Sequence, residues 1–130
     1  MKRILLIIGA SLTILFICAV LAIHIWIGHD VKENIKIAQS KYPGKAEDAL
    51  IAFLSDTTNS PHDRTHLAIW TLGQIQSEKA VPILTALYKN DPEGKTCRGK
   101  HDEVLCQYEI YKALRAEEIK WWPLHRKLNK

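Results

Sequence analysis

From Ile4 to Ile27 the chain carries no Asp, Glu, Lys or Arg and a single histidine, His24. An apolar stretch of about 18 residues or more is a candidate membrane span. As a helix rising about 1.5 Å per residue it would reach roughly 36 Å, against a hydrocarbon core of about 30 Å, so it crosses with some tilt. What this helix tethers, and on which side, is therefore the first question the sequence poses.

Met1, Lys2 and Arg3 give the short leading flank positive charge and no acid, counting the α-amine. Beyond the span, Asp30 and Glu33 offset Lys32 and Lys36. The basic excess predicts the N-terminus in the cytoplasm and the bulk of the chain in the periplasm or outside the cell, on a single-pass protein of the inner (plasma) membrane. The rival is a cleaved signal peptide, since Val20-Leu21-Ala22 resembles a cleavage site. Against it, Ile23-His24-Ile25-Trp26-Ile27 prolongs the apolar run past a typical signal core of about 7–15 residues. Ile17 before Cys18 is too bulky for a lipidation site. Trp26 suits the membrane interface, and His24, within a turn of it, suits the headgroups.

Residues 29–130 are enough for one small domain, so the expected division is an anchor over 1–28 and a folded domain over 29–130. The chain has 18 Lys and Arg against 14 Asp and Glu, a formal charge of +4. That mild excess demands no nucleic acid. The basic end, with Lys120, Arg126, Lys127 and Lys130 beside Trp121 and Trp122, could touch anionic headgroups or an acidic partner, or simply be solvated.

The folded part reads as helix after helix. Val31, Ile35 and Ala38 recur at helical spacing, so the first helix is expected to run on to about Ser40, where Tyr42-Pro43-Gly44 breaks it. Ala46, Ala49, Leu50, Phe53 and Leu54 form the stripe of a second helix, ending near Asp56-Thr57-Thr58-Asn59. Ser60-Pro61-His62-Asp63 is a start signal, with a Ser cap, Pro in the first turn and an acid three residues on. The helix it opens is expected to bury Leu67, Ala68, Leu72 and Ile75, with Trp70 at the edge. Ser77-Glu78 leads into Ala80, Val81, Ile83, Leu84, Leu87 and Tyr88, and Asp91-Pro92-Glu93-Gly94 ends that helix. Val104, Leu105, Tyr108, Tyr111 and Leu114 mark another, and Pro123 stops the last.

Two correspondences run through these helices. Lys45-Ala46, Leu50, Ala52 and Phe53 match Lys79-Ala80, Leu84, Ala86 and Leu87 at an offset of 34 residues. Ala68-Ile69-x-x-Leu72 matches Ile110-Tyr111-x-x-Leu114 at an offset of 42, the difference falling in the 91–101 loop. Paired amphipathic helices at such a period mark an α-solenoid, in which each pair hides its stripe against its neighbours. Arg64-x-x-x-Ala68-Ile69-Trp70-x-Leu72-Gly73-x-Ile75, followed by Lys79-Ala80-Val81-Pro82-x-Leu84-x-x-Leu87, resembles a HEAT-like repeat of the short bacterial type. The match covers about one repeat, Pro61 to Asn90, with weaker halves on each side; Arg115 stands where Gly73 stood. The fold class implied is all-α: an N-terminal transmembrane helix followed by a short α-α superhelix of two to two and a half helix pairs. The resemblance implies a scaffold or recognition surface; some relatives in the superfamily attach bilin pigments, but no residues here carry that activity across, so no cofactor is expected.

Cys97 and Cys106 flank the inserted loop, and outside the cytoplasm a disulfide is the leading expectation. Closing about ten residues would stabilise the fold by somewhat under 3 kcal/mol in the entropy model. Cys97-x3-His101-x4-Cys106 could instead hold zinc, but a fourth ligand is not specified by spacing, and free thiols are the third reading. Cys18 lies in the span. His62 and His66 are four apart, yet the Glu of a His-Glu-x-x-His metalloprotease helix is replaced by Asp63. Glu117 and Glu118 are adjacent rather than opposed across a cleft and suit the first turn of a helix. With no phosphate loop, nucleophile elbow or Cys–His pair, the sequence points away from an enzyme.

Trp70, Tyr108, Tyr111, Trp121 and Trp122 are candidate partner-binding residues, because aromatics are favoured interface anchors and solenoids bind along one face. The competing role is to fill the core or cap its open end. The resulting expectation is a membrane-anchored, non-catalytic protein-interaction module, with a protein partner or a second copy of itself. The alternatives are a secreted or periplasmic inhibitor or immunity-type binder after signal cleavage, and a thiol or metal protein using Cys97, His101 and Cys106.

Overall fold

The computed structural model describes residues 2–118, and among them every regular element is helical. The chain divides into two compact units, one ending at Asp30 and the other starting at Val31.

In the first unit, α1 (Lys2–Lys41) begins, and every described side chain from Ile4 to Ile23 is exposed. Leu6 at 72 % and Phe16 at 70 % would be costly in water. Thr13 Oγ1 bonds back to the Gly9 carbonyl at 2.9 Å, which satisfies the hydroxyl within the helix. The helix is long and apolar enough to cross a membrane, and a signal sequence would look the same.

The second unit opens with the last turns of α1, whose Val31, Ile35 and Ala38 are buried as the helical spacing predicts. Lys41 is the last helical residue, one past the expected Ser40, and residues 42–45 make the break. α2 (Ala46–Ser55) buries the whole expected stripe of Ala46, Ala49, Leu50, Phe53 and Leu54. Glu47 and Asp48 in its first turn suit the helix dipole. It stops at Asp56, which turns to extended backbone and takes the Thr58 N–H on its carboxylate at 2.8 Å.

The third helix, α3 (residues 61–74), is composite: a turn at Pro61–Asp63, a π-helical stretch at Arg64–Ile69 and an α-helical end at Trp70–Gln74. The Ser60 hydroxyl accepts the Asp63 N–H at 3.0 Å with Pro61 in the first turn, so the start signal works as read. Arg64 Nε donates to the Leu54 carbonyl at 2.7 Å and satisfies an acceptor left free at the end of α2. At the other end, Ser77 N–H reaches the Leu72 carbonyl at 3.1 Å and Gln76 N–H the Gly73 carbonyl at 3.1 Å, a Schellman closure. Gln76 holds the left-handed residue of that closure at φ 52°, and its side-chain amide donates to the Ala116 carbonyl at 2.9 Å.

The buried face of α3 differs from the expected one. Ile69 is buried and Leu67 is only half-buried, and the stripe runs through Thr65, Ala68, Ile69, Leu72 and Ile75 with Thr71 alongside. Two of its members are threonines, which a reading of apolar positions passes over. Both are satisfied: Thr71 Oγ1 accepts from Asn34 at 3.0 Å, and Thr65 Oγ1 from the Cys106 N–H at 3.2 Å.

A 3₁₀ turn at Glu78–Ala80, capped by the Ser77 hydroxyl, feeds α4 (Val81–Leu87) with Pro82 in its first turn. Ser77 also donates to Glu47, and Lys79 pairs with Asp48, so this turn is tied to the start of α2. A long loop over 88–106 leads to α5 (Gln107–Glu118). The buried face of α5 is Gln107, Ile110 and Ala113, preceded by buried Cys106. Val104 and Leu105 precede the helix, and Tyr108 is 44 % exposed, so the expected Val104–Tyr108–Tyr111 stripe is displaced to the next face. Glu118, read as a first-turn acid, lies inside α5 and pairs with Arg115 at 3.5 Å.

α3 is central, packed against α2 on one side and α5 on the other. Gly73 permits the second contact: a Cβ there would sit 3.0 Å from the Ala113 Cα and 3.1 Å from its Cβ. Both members of the correspondences Ala46/Ala80, Leu50/Leu84 and Ala68/Ile110 are buried. Leu87, Tyr111 and Leu114, partners of Phe53, Ile69 and Leu72, are half-buried.

Candidate functional site

The surface of the α3–α5 contact carries Trp70 and Tyr108, two of the candidate anchors. Because Gly73 lets the helices meet, a small cleft opens beside it, lined by Trp70, Gly73 and Gln74 from α3 and Glu109, Lys112, Ala113 and Ala116 from α5. Its volume is about 70 Å³. Ligand pockets run to roughly 300–1,000 Å³, so this cleft accepts a side chain and not an enclosed metabolite.

Lys112 defines its rim. The ammonium bonds Glu109 at 2.7 Å and lies 4.6 Å from the centre of the Tyr108 ring. Trp70, Lys112 and exposed Tyr108 therefore share one edge, an aromatic and cationic combination common at protein contacts. Tyr111 instead faces Tyr88, with ring centres 6.2 Å apart and planes at 27°. Burial, then the proximity of Tyr111 and Asp91, raises the Tyr88 phenol above its ordinary value. Trp121 and Trp122, the other two candidate anchors, lie outside the described residues, as do Pro123 and the basic end.

Cys97 and Cys106 come together as expected. Both are buried, their Cα atoms are 5.0 Å apart and their sulfurs are paired. That separation is within the range of about 4.4–6.8 Å for disulfides. Gly94 makes the room: its φ is 62°, and a Cβ there would lie 2.8 Å from the Tyr108 Cβ and 3.2 Å from the Cys97 sulfur. Asp91 organises the same loop by accepting the Lys95 and Thr96 N–H groups and the Thr96 hydroxyl, at 3.1, 2.8 and 2.8 Å. Those bonds hold its carboxyl below the ordinary range.

His101 is not with the sulfurs. Its ring lies 5.7 Å from that of His66, which in turn lies 4.4 Å from that of His62, with interplanar angles of 35° and 46°. Among the described residues, no three His, Cys, Asp or Glu side chains converge on a point where a metal could sit. The His62–His66 spacing was visible in the sequence; the arrival of His101 beside His66 was not, since it depends on the path of the 88–106 loop.

A second polar cluster joins the end of α1 to the α2–α3 turn. Tyr42 donates to Asp56, Asn59 donates to the Tyr42 hydroxyl at 3.1 Å and to the Phe53 carbonyl at 2.8 Å, and Lys41 lies 3.8 Å from Asp56. The Tyr42 hydroxyl, then the Thr58 side chain and N–H, lower the Asp56 pKa to about 2. Every group here has a structural partner, and the cluster reads as a clasp on the helix end.

No known protein family matches the chain, and no curated protein or solved structure does either.

Proposed function

We propose that this protein is a membrane-anchored, non-catalytic interaction module, whose helical unit holds a protein partner close to the outer face of the plasma membrane. The observation that carries the reading is the coexistence of two surfaces. One is a helix exposing apolar side chains from Ile4 to Ile23, which lipid would cover. The other is the Trp70–Lys112–Tyr108 edge, beside a cleft sized for a single side chain. Lys2 and Arg3 before the apolar run, and a paired Cys97 and Cys106 beyond it, favour an oxidising compartment for residues 31–118. The helix pairs α2–α3 and α4–α5 form a short HEAT-like stack in this proposal. Its support is the 34-residue and 42-residue offsets, with both members buried at Ala46/Ala80, Leu50/Leu84 and Ala68/Ile110.

A photo-crosslinking amino acid at Tyr108, in the full chain expressed in its native membrane, tests the reading. A discrete crosslinked species, either a second copy or another protein, that disappears with Trp70→Ala but persists with Lys36→Ala supports it. A C-terminal reporter active in the cytosol, or crosslinking to lipid alone, sinks it.

One observation favours a secreted variant of the same module. The folded unit starts at Val31, so cleavage after Ala22 would leave it whole. Intact mass from native membranes separates the two, because loss of residues 1–22 removes the anchor.

A further inference from the structure

We propose that His62, His66 and His101 form a proton-sensitive latch, which holds the exposed arm at residues 98–104 against α3 and releases it on acidification. The arm hangs between two fixed points. Cys97 is buried and paired with Cys106, and the Cys106 N–H is bonded to buried Thr65 at 3.2 Å. Between them all seven residues from Arg98 to Val104 are exposed. Local turn bonds shape the arm: Lys100 N–H to the Cys97 carbonyl at 3.0 Å, with Glu103 and Val104 N–H to the Lys100 carbonyl at 3.0 and 3.1 Å. Its ring contact with α3 is His101 on His66, at 5.7 Å.

The rings lie tilted to one another, and no metal-binding group is formed by them among the described residues. A proton on one places a charge within about 4–6 Å of the next, and a second proton is repelled. The surroundings supply partial compensation, and on the arm itself Asp102 and Glu103 follow His101 while Arg98 and Lys100 precede it. From α5, Glu109 faces His66, but its carboxylate already binds Lys112 at 2.7 Å, and that ammonium faces His66 as well. On α3, Asp63 stands 3.5 Å from His62. Partial desolvation of a ring that is still exposed, then His62, pull the His66 pKa down, with His101 and Lys112 adding to the effect and Glu109 opposing it. His62 stays beside His66 when the arm opens. Only the share of the depression that the arm supplies, through its cover and His101, therefore stabilises the closed arm above the ordinary value of about 6.5, and that share is lost as pH falls through the closed-state value. Histidine is the side chain whose charge changes in this interval.

Amide exchange of the full chain in nanodiscs tests the latch, read at Lys100, Glu103 and Val104 and corrected for intrinsic rates. Between about pH 7.5 and about pH 5.5 the protection of these amides should fall about three- to tenfold, since one proton taken up on opening gives at most tenfold per pH unit. His66→Gln should flatten this dependence while the Leu72 and Ile75 amides keep their protection. His101→Gln, on the exposed arm, should do the same without touching α3. An equal fall in both variants and the wild type overturns the proposal, as does a His66 ring that titrates at or above its ordinary value. Zinc chloride alone, if it raises arm protection at neutral pH with one ion per chain, overturns it in favour of a metal site.

Discussion

Replacing Gly73 by alanine sets two effects of opposite sign against each other. In a helix interior alanine is favoured over glycine by about 1 kcal/mol. The new Cβ, however, would stand 3.0 Å from the Cα of Ala113 and 3.1 Å from its Cβ. Carbon pairs rest at about 3.5–4.0 Å, so α3 and α5 must separate by roughly half an ångström. The nearer atom is backbone, which cannot swing aside. Overpacking of this kind costs about 1–3 kcal/mol, and the balance is a net loss of about 1 kcal/mol. In a domain of this size that lowers the thermal midpoint by roughly 4–8 °C. Unfolding of the full chain in nanodiscs, followed by the helical circular dichroism lost on heating, measures it. Adding Ala113→Gly should recover part of the loss by removing one of the two crowded atoms, and a double-mutant cycle gives the coupling. A Gly73→Ala protein as stable as the wild type, or more so, would refute the close approach of α3 and α5.

Three further outcomes are expected. Ile69→Ala should cost about 2–5 kcal/mol, whereas Leu67→Ala should cost well under half as much, because Ile69 is buried and Leu67 is half-exposed; urea unfolding distinguishes the two. Reduction of the full chain should add two hydrogens to its intact mass and lower its stability by somewhat under 3 kcal/mol, and Cys97→Ala with Cys106→Ala should abolish the response to reductant. Asp56→Asn should destabilise the protein at neutral pH. Because the folded Asp56 pKa is lowered to about 2, the contribution is present above the ordinary carboxylate value of about 3.9 and vanishes as pH falls through the folded value. The two stability curves should therefore converge in acid.

The limits of α1, α2 and the start of α3 were legible in the sequence because their signals are local, whereas α5 begins at Gln107 and not at Val104. Tyr42-Pro43-Gly44 broke α1, Ser60 and Pro61 opened α3, and the stripe of α2 was recovered whole. Burial was less legible. Thr65 and Thr71 are completely buried, yet they look polar until Cys106 and Asn34 supply their hydrogen bonds from 41 and 37 residues away. Tyr108 looks like core and is a surface residue, since the aromatic ring carries enough apolar area to mimic a core position in any periodic pattern. Of the candidate site, Trp70 and Tyr108 were named from composition alone, but Lys112 and Glu109, which join them, were not.

What the amino-acid order determined by itself is a helical chain led by a lipid-compatible segment, with two cysteines placed to close a loop. Those properties follow from caps, breakers and hydropathy acting over a few residues. Tertiary structure alone decided which face of α5 is hidden, why position 73 must lack a Cβ, and that His101 reaches His66. Each depends on a partner supplied from a distant point in the chain, and the identity of that partner is a property of packing rather than of neighbouring residues.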